Sequence, residues 1–211
     1  MTIEGNGVVI TKDPSWTLVN SASQLLQVNS STAVVRIIRI HFKNGEASDY
    51  GGAMDNRGIL TLESCIFSGN KTTSPIAFGG AIYNAGTLAI RGCTFHANSS
   101  PYQGGAIYNS SGTLTLAGNI LYGNTASAGP NVHREAGTTN SGGYNRYNGS
   151  AGWTTVTSDS TVSSLPFNAT TFVPTTNLQN VLPSNGLANF PLTDFYGNTR
   201  TWPGAPGAVN F

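Results

Sequence analysis

Charge is what this 211-residue chain has least of: nine acidic and ten basic side chains, 9% of the sequence, with a formal net charge of +1. Without a basic stripe there is nothing to neutralise a phosphate backbone or an anionic bilayer, so nucleic acid is excluded as a partner. No run reaches the roughly 18 consecutive apolar residues of a membrane-spanning helix. The start, Met1-Thr2-Ile3-Glu4-Gly5-Asn6-Gly7, has neither a basic nor an apolar leader region. The expectation is a mature or trimmed chain, without a signal peptide in this sequence. Two cysteines, Cys65 and Cys93, are too few for a disulfide scaffold. Carboxylates number nine, and no two share a strand at i, i+2 spacing, which leaves little for acid–base chemistry.

What fills the chain instead is glycine, asparagine, serine and threonine in a returning pattern. Gly51–Asn70 (GGAMDNRGILTLESCIFSGN), Gly79–Asn98 (GGAIYNAGTLAIRGCTFHAN) and Gly104–Asn124 (GGAIYNSSGTLTLAGNILYGN) share one plan. A period of this size signals a solenoid whose units bury their apolar sides on their neighbours. Each unit has three pieces. Gly-Gly-Ala-(Ile/Met)-x-Asn is a short extended run, ended by Asn and Gly at a corner that tolerates positive φ. Next, Leu60 and Leu62, Leu88 and Ile90, Leu114 and Leu116 alternate with Thr61, Ala89 and Thr115, the period of a half-buried strand. The third piece is Cys65-Ile66-Phe67, Cys93-Thr94-Phe95 and Asn119-Ile120-Leu121.

Three strands and three corners per unit predict an all-β fold, a right-handed parallel β-helix. The hand follows the rule for parallel crossovers. A leucine-rich repeat is the alternative, but its leading leucine is missing and a Gly-Gly run disfavours the returning helix. The predicted coil covers residues 1–135. Residues 136–211 form an irregular C-terminal segment of the same domain, packed on the end or flank of the coil. Within the coil, Phe42, Phe67, Phe95 and Leu121 are expected to stack in one column. The excursion 11–23, with Pro14 and Trp16, is expected to loop out. Cys65 and Cys93 occupy one slot of adjacent turns, ~4.8 Å apart. Their parallel side chains suit two buried thiols better than a bridge, though a bridge is within reach.

The GGAI starts, with Phe-Ser-Gly-Asn at Phe67–Asn70, resemble the repeat of polymorphic outer membrane proteins, over roughly residues 34–133. That resemblance implies a bacterial surface-exposed or secreted β-helix, often adhesive, whose partner is a host-cell protein or glycan. The chain departs from the repeat at His96-Ala97, where glycine is usual, and at Leu121, where Phe is usual. No membrane-anchoring barrel is expected in residues 136–211, since Pro203, Pro206 and Gly207 rule out a barrel strand ending in Phe211. Asp194-Phe195-Tyr196-Gly197-Asn198-Thr199-Arg200 is similar to the D-x-x-G-x-x-R tail of secreted bacterial β-helix proteins.

No catalytic residue, metal ligand set or cofactor motif is identified, and a monomer is expected. His41, His96 and His133 fall in non-equivalent positions, and only Glu46, Asp49 and Asp55 could form a carboxylate cluster. The candidate ligand-binding residues are aromatic. With Met54, Ile82 and Ile107 inward, alternation turns Asp55, Tyr83 and Tyr108 outward on successive turns. The variable loops before the Gly-Gly starts add Tyr50, Phe78 and Tyr102. Together these six make a strip that suits a sugar or a protein; the alternative is that the rings only shield the coil. A carbohydrate-active enzyme is the competing functional class. The six Asn-x-Ser/Thr sequons, at Asn29, Asn70, Asn98, Asn109, Asn148 and Asn168, read as corner composition.

The inward–outward assignment is directly testable by denaturant unfolding. Leu88→Ala should cost ~2–5 kcal/mol as a deletion in a packed core, and Thr115→Ala less than ~0.5 kcal/mol. Equal costs would mean the alternation is assigned to the wrong face.

Overall fold

The computed structural model describes residues 1–13, 15, 24–174, 178, 181–183 and 190–209. Pro14, Trp16 and Phe211, named above, lie outside them, as does most of the excursion 11–23. The alternating runs form strands because one face of each can be buried only on the next coil. The glycine sheet stacks Leu26–Val28, Met54–Asn56, Ile82–Asn84, Ile107–Asn109 and Val132–Arg134 in parallel. The leucine sheet stacks Ile59–Glu63, Thr87–Arg91, Thr113–Ala117 and Thr138–Ser141. The phenylalanine sheet stacks Ile66–Ser68, Thr94–His96, Ile120–Tyr122, Arg146–Tyr147 and Ser160–Thr161. Val34–Lys43 runs through both of the latter, and Thr2–Thr11 pairs on its outer side. This is a parallel β-helix. Among the described residues no helix is long and apolar enough to cross a membrane.

The register agrees with the repeat. Leu60, Leu88 and Leu114 are direct partners, as are Phe42, Phe67, Phe95 and Leu121. The Phe rings stack at 5.0 and 4.7 Å between centroids. All seven side chains are buried, each contributing ~1.5–3 kcal/mol.

The corners differ from expectation. The asparagines that end the glycine strands do not adopt positive φ; that backbone occurs elsewhere. One set is Gly51, Gly79 and Gly104, and a second is Arg39, Ser64, Gly92 and Gly118. A third set, after the phenylalanine strands, is Asn44, Gly69, Ala97 and Gly123. The expected corner glycines serve close approach instead: a Cβ at Gly86 would stand 2.8 Å from the Gly58 nitrogen.

The asparagines are ladders. Asn70 donates to the Asn98 side-chain oxygen at 2.9 Å, and Asn98 donates to that of Asn124 at 3.0 Å. Each side-chain oxygen also accepts a backbone N–H from the coil before, and each amide reaches a backbone carbonyl, Phe42, Phe67 or Phe95. A second ladder joins Asn56, Asn84 and Asn109 at 2.7 and 2.6 Å. The third begins as sulfur. The Cys65 N–H points at the Cys93 Sγ (3.4 Å), the Cys93 N–H donates to Asn119, and Asn119 donates to Asn145. Both cysteines are free and buried, and burial followed by the Cys65 contact pushes the Cys93 thiol up. Asp159 closes this ladder, accepting from Asn145, Ser141, Trp153 and Val156. Burial pushes the Asp159 carboxyl up, but those hydrogen bonds outweigh it and hold it below the usual value.

Sheet pairing continues through Thr161, past the boundary expected at 135. Tyr147 and Trp153 close the core of the last coil. Of the later described residues, Phe167, Phe172, Leu178, Phe195 and Ala208 pack with Ile66 and Ile120 on the outer flank of the phenylalanine sheet, and 190–193 lies over the leucine sheet. Arg200 pins this segment, donating to the carbonyls of Ala205, Gly207 and Ala208 and lying over the Phe190 ring. Burial pulls its guanidinium down to about 10.

Ala97 is the one alanine in the third set, with φ +53°. Left-handed backbone costs an L-residue ~1–2 kcal/mol, partly offset by glycine's greater chain entropy. Ala97→Gly should therefore raise stability in urea by about 0.5–1 kcal/mol. Gly69→Ala should lower it, since its Cβ would meet the Asn44 side-chain oxygen at 2.6 Å. A loss on Ala97→Gly would contradict the assignment.

Candidate functional site

Outside the glycine sheet the aromatic residues assemble as a continuous strip. Met54, Ile82, Ile107 and Val132 fill the core, so their neighbours Asp55, Tyr83, Tyr108 and His133 face out in register. Tyr50 and Phe78 pair as the next column, which continues in Gln103 rather than Tyr102. Ring centroids lie 4.8 Å apart for Tyr50–Tyr83, 4.6 Å for Phe78–Tyr108, 5.6 Å for Tyr83–Tyr108 and 5.4 Å for Tyr108–His133. Tyr102 meets Phe78 edge-on at 5.7 Å.

Two of the six expected residues are not available to a ligand. Tyr108 does point out of the coil, but Phe78, Tyr83 and His133 surround it and leave it 6% exposed. Burial, then the Glu135 charge, pushes its phenol up to about 12. Asp55 is 3% exposed, and Arg57 takes one carboxylate oxygen at 3.1 Å while the other has no partner among the described residues. Tyr50 (39%) and Tyr102 (41%) are the exposed ends, with Phe78 and Tyr83 half-buried between them. Tyr50 with Phe78 and Tyr83 with Tyr108 are nearly parallel, at 11° and 15°. The rings thus spend their faces on one another and offer outward mostly edges and phenolic hydroxyls.

The other candidates do not converge. Glu46 is held by Lys12 at 2.9 Å, backed by Lys71 at 3.7 Å, and the Lys12 hydrogen bond draws its carboxyl down. Asp55 pairs with Arg57, and Asp49 takes the Ser48 hydroxyl. Among the described residues no three His, Cys, Asp or Glu side chains stand close enough to hold a metal. Sequence reasoning missed one contact, His41 Nε2 to Ser68 Oγ at 2.7 Å. Burial and then the Lys43 charge pull His41 down to about 4, so it is neutral at pH 7. It also missed a charged cleft over the leucine sheet that gathers Arg36, Glu63 and Arg91. Their signal was present as outward positions of aligned strands, but charge alone did not distinguish them from solvated surface.

Residues 148–152 close the end of the glycine sheet at Asn131 and Val132, and the described residues from 162 onward contact the phenylalanine and leucine sheets. Among the described residues no ring contact or hydrogen bond joins those from 162 onward to the strip. Among family models, that of the right-handed β-helix region matches residues 2–162. The chain belongs to the right-handed β-helix family. No curated protein and no solved structure matches it. Among the described residues the family match spans every sheet strand and ends just past the last of them, Ser160–Thr161.

Proposed function

We propose that this β-helix is a non-catalytic interaction module, an adhesin of the polymorphic outer membrane type that is secreted or displayed on a bacterial surface. Its ligand is a glycan, bound along the aromatic strip. The observation that carries this reading is the strip itself, which runs along successive coils and keeps Tyr50 and Tyr102 exposed. A contiguous exposed apolar patch commonly marks an interaction site. Ring edges, phenolic hydroxyls and the Arg57 guanidinium offer donors to a hydroxyl-rich chain. The lack of convergence among Glu46, Asp49 and Asp55 supports binding over hydrolysis, which needs two placed carboxyl groups.

The test is a glycan array probed with the wild-type chain and with Tyr50→Ala/Tyr102→Ala. Each lost aromatic contact is worth ~0.5–1.5 kcal/mol, so the double variant should bind about tenfold more weakly. Its melting temperature should hold within ~3 °C, because both residues are exposed. Wild-type binding that survives both substitutions would sink the assignment of the strip. Turnover of an acidic polysaccharide that is lost on Asp49→Asn would favour the enzyme class instead.

A further inference from the structure

A concave site lies on a different face, between the leucine sheet and the strap 190–193. The cleft measures about 610 Å³, within the range of small-molecule pockets. Glu4, Arg36, Ile38, Glu63 and Arg91 line the sheet wall, where Ile38 is the register partner of Glu63; Phe190, Pro191, Leu192 and Thr193 line the other. The strap is fixed, so the cleft exists before any ligand arrives. Ser64 donates to the Thr193 carbonyl at 2.7 Å, Arg200 N–H donates to the Leu192 carbonyl at 2.8 Å, and Phe190 lies under Arg200 and against Trp202.

The charges are arranged unequally. The Glu63 carboxylate is 7% exposed and is occupied on both oxygens, by Arg36 at 2.5 Å and Arg91 at 3.6 Å. It works as an internal counter-ion holding two guanidinium groups side by side. Glu4 is turned to Arg39 at 2.6 Å, and Arg39 also reaches Asn6. The unspent groups are therefore donors. At 3.6 Å the Arg91–Glu63 contact is an ion pair without a hydrogen bond, and among the described residues the Arg91 guanidinium donates to nothing. Arg36 spends one N–H on Glu63 and is half-exposed. Arg36, Arg39 and Arg91 against Glu4 and Glu63 leave one surplus positive charge beside the strap, with Glu4 acting on Arg36 as well as on Arg39. At the rim of the cleft stands Leu192, 74% exposed.

We propose that this cleft binds an organic acid: a carboxylate on the free N–H groups of Arg91 and Arg36, and an apolar body along Ile38, Pro191 and Leu192. The planar guanidinium fork matches a carboxylate in two-point contact, which a hydroxyl cannot reproduce. The apolar wall favours a carboxylate with a hydrocarbon body over a free inorganic anion. This site is independent of the aromatic strip and of the reading attached to it.

The test is calorimetric titration of the full chain with benzoate, benzyl alcohol and inorganic phosphate. Benzoate should bind with a Kd of about 1 mM or tighter, and at least tenfold more tightly than either benzyl alcohol or phosphate. Arg91→Gln should weaken benzoate tenfold or more. Leu192→Asp should do the same by placing a negative charge at the rim, and at an exposed position it keeps the fold. Equal binding of phosphate, unchanged affinity in Leu192→Asp, or no benzoate binding by the wild-type chain would each overturn the proposal.

Discussion

Every coil of this molecule must turn three corners while burying backbone that cannot pair within a flat sheet, and the internal asparagines solve that problem. A carboxamide has two donors and an acceptor, so one side chain can take an N–H from one coil, give an N–H to the next asparagine and still reach a carbonyl. Asn98 does all three, with Asn70, Asn124 and Phe67. Buried polar groups left without partners cost ~1–3 kcal/mol each, so each step needs a side chain that accepts an N–H, asparagine at most positions and Cys93 or Asp159 at others. The repeat visible in the sequence is the imprint of that requirement. Leucine and phenylalanine columns then fill the interior the ladders delimit.

The aromatic strip and the C-terminal flank are consequences. Because the ladders fix register, a residue beside an inward isoleucine must face outward at the same height on every coil, which is why Tyr83 stacks on Tyr108 and Tyr108 on His133. On the phenylalanine sheet the same rule produces an outward column of His41, Ile66, Thr94 and Ile120, too apolar to leave bare. The C-terminal segment lies there. One flank is thus spent on covering, while the strip on another keeps Tyr50 and Tyr102 exposed.

Much of this was legible in the residues. The three strands per coil, the Leu and Phe columns and the outward placement of Asp55, Tyr83 and Tyr108 follow from period-2 alternation and alignment of the units. The burial of Tyr108 was not legible, since it depends on how Phe78 tilts across from another column. Nor was the work of the asparagines, which as single letters read like turn residues. Asn70, Asn98 and Asn109 even look like glycosylation sites, yet each is fully buried with its amide hydrogen-bonded inside the coil. Cys65 and Cys93 read as small hydrophobes; they also hold ladder positions, the Cys93 sulfur as a weak acceptor for the Cys65 N–H and the Cys65 thiol as a donor to the Glu63 carbonyl. The charged cleft was invisible because its second wall, the strap at 190–193, is about a hundred residues from Arg91.

Asn98→Ala, followed by denaturant unfolding together with hydrogen exchange at the Asn70 amide, tests the ladder most directly. The substitution deprives the Asn70 backbone and side-chain N–H groups of their shared acceptor and the Phe67 carbonyl of a donor. The expected loss is ~3 kcal/mol or more, from orphaned buried groups, with markedly faster exchange at Asn70. A loss under ~0.5 kcal/mol, the size of a surface change, with exchange unaltered would show that the coil does not depend on its asparagines.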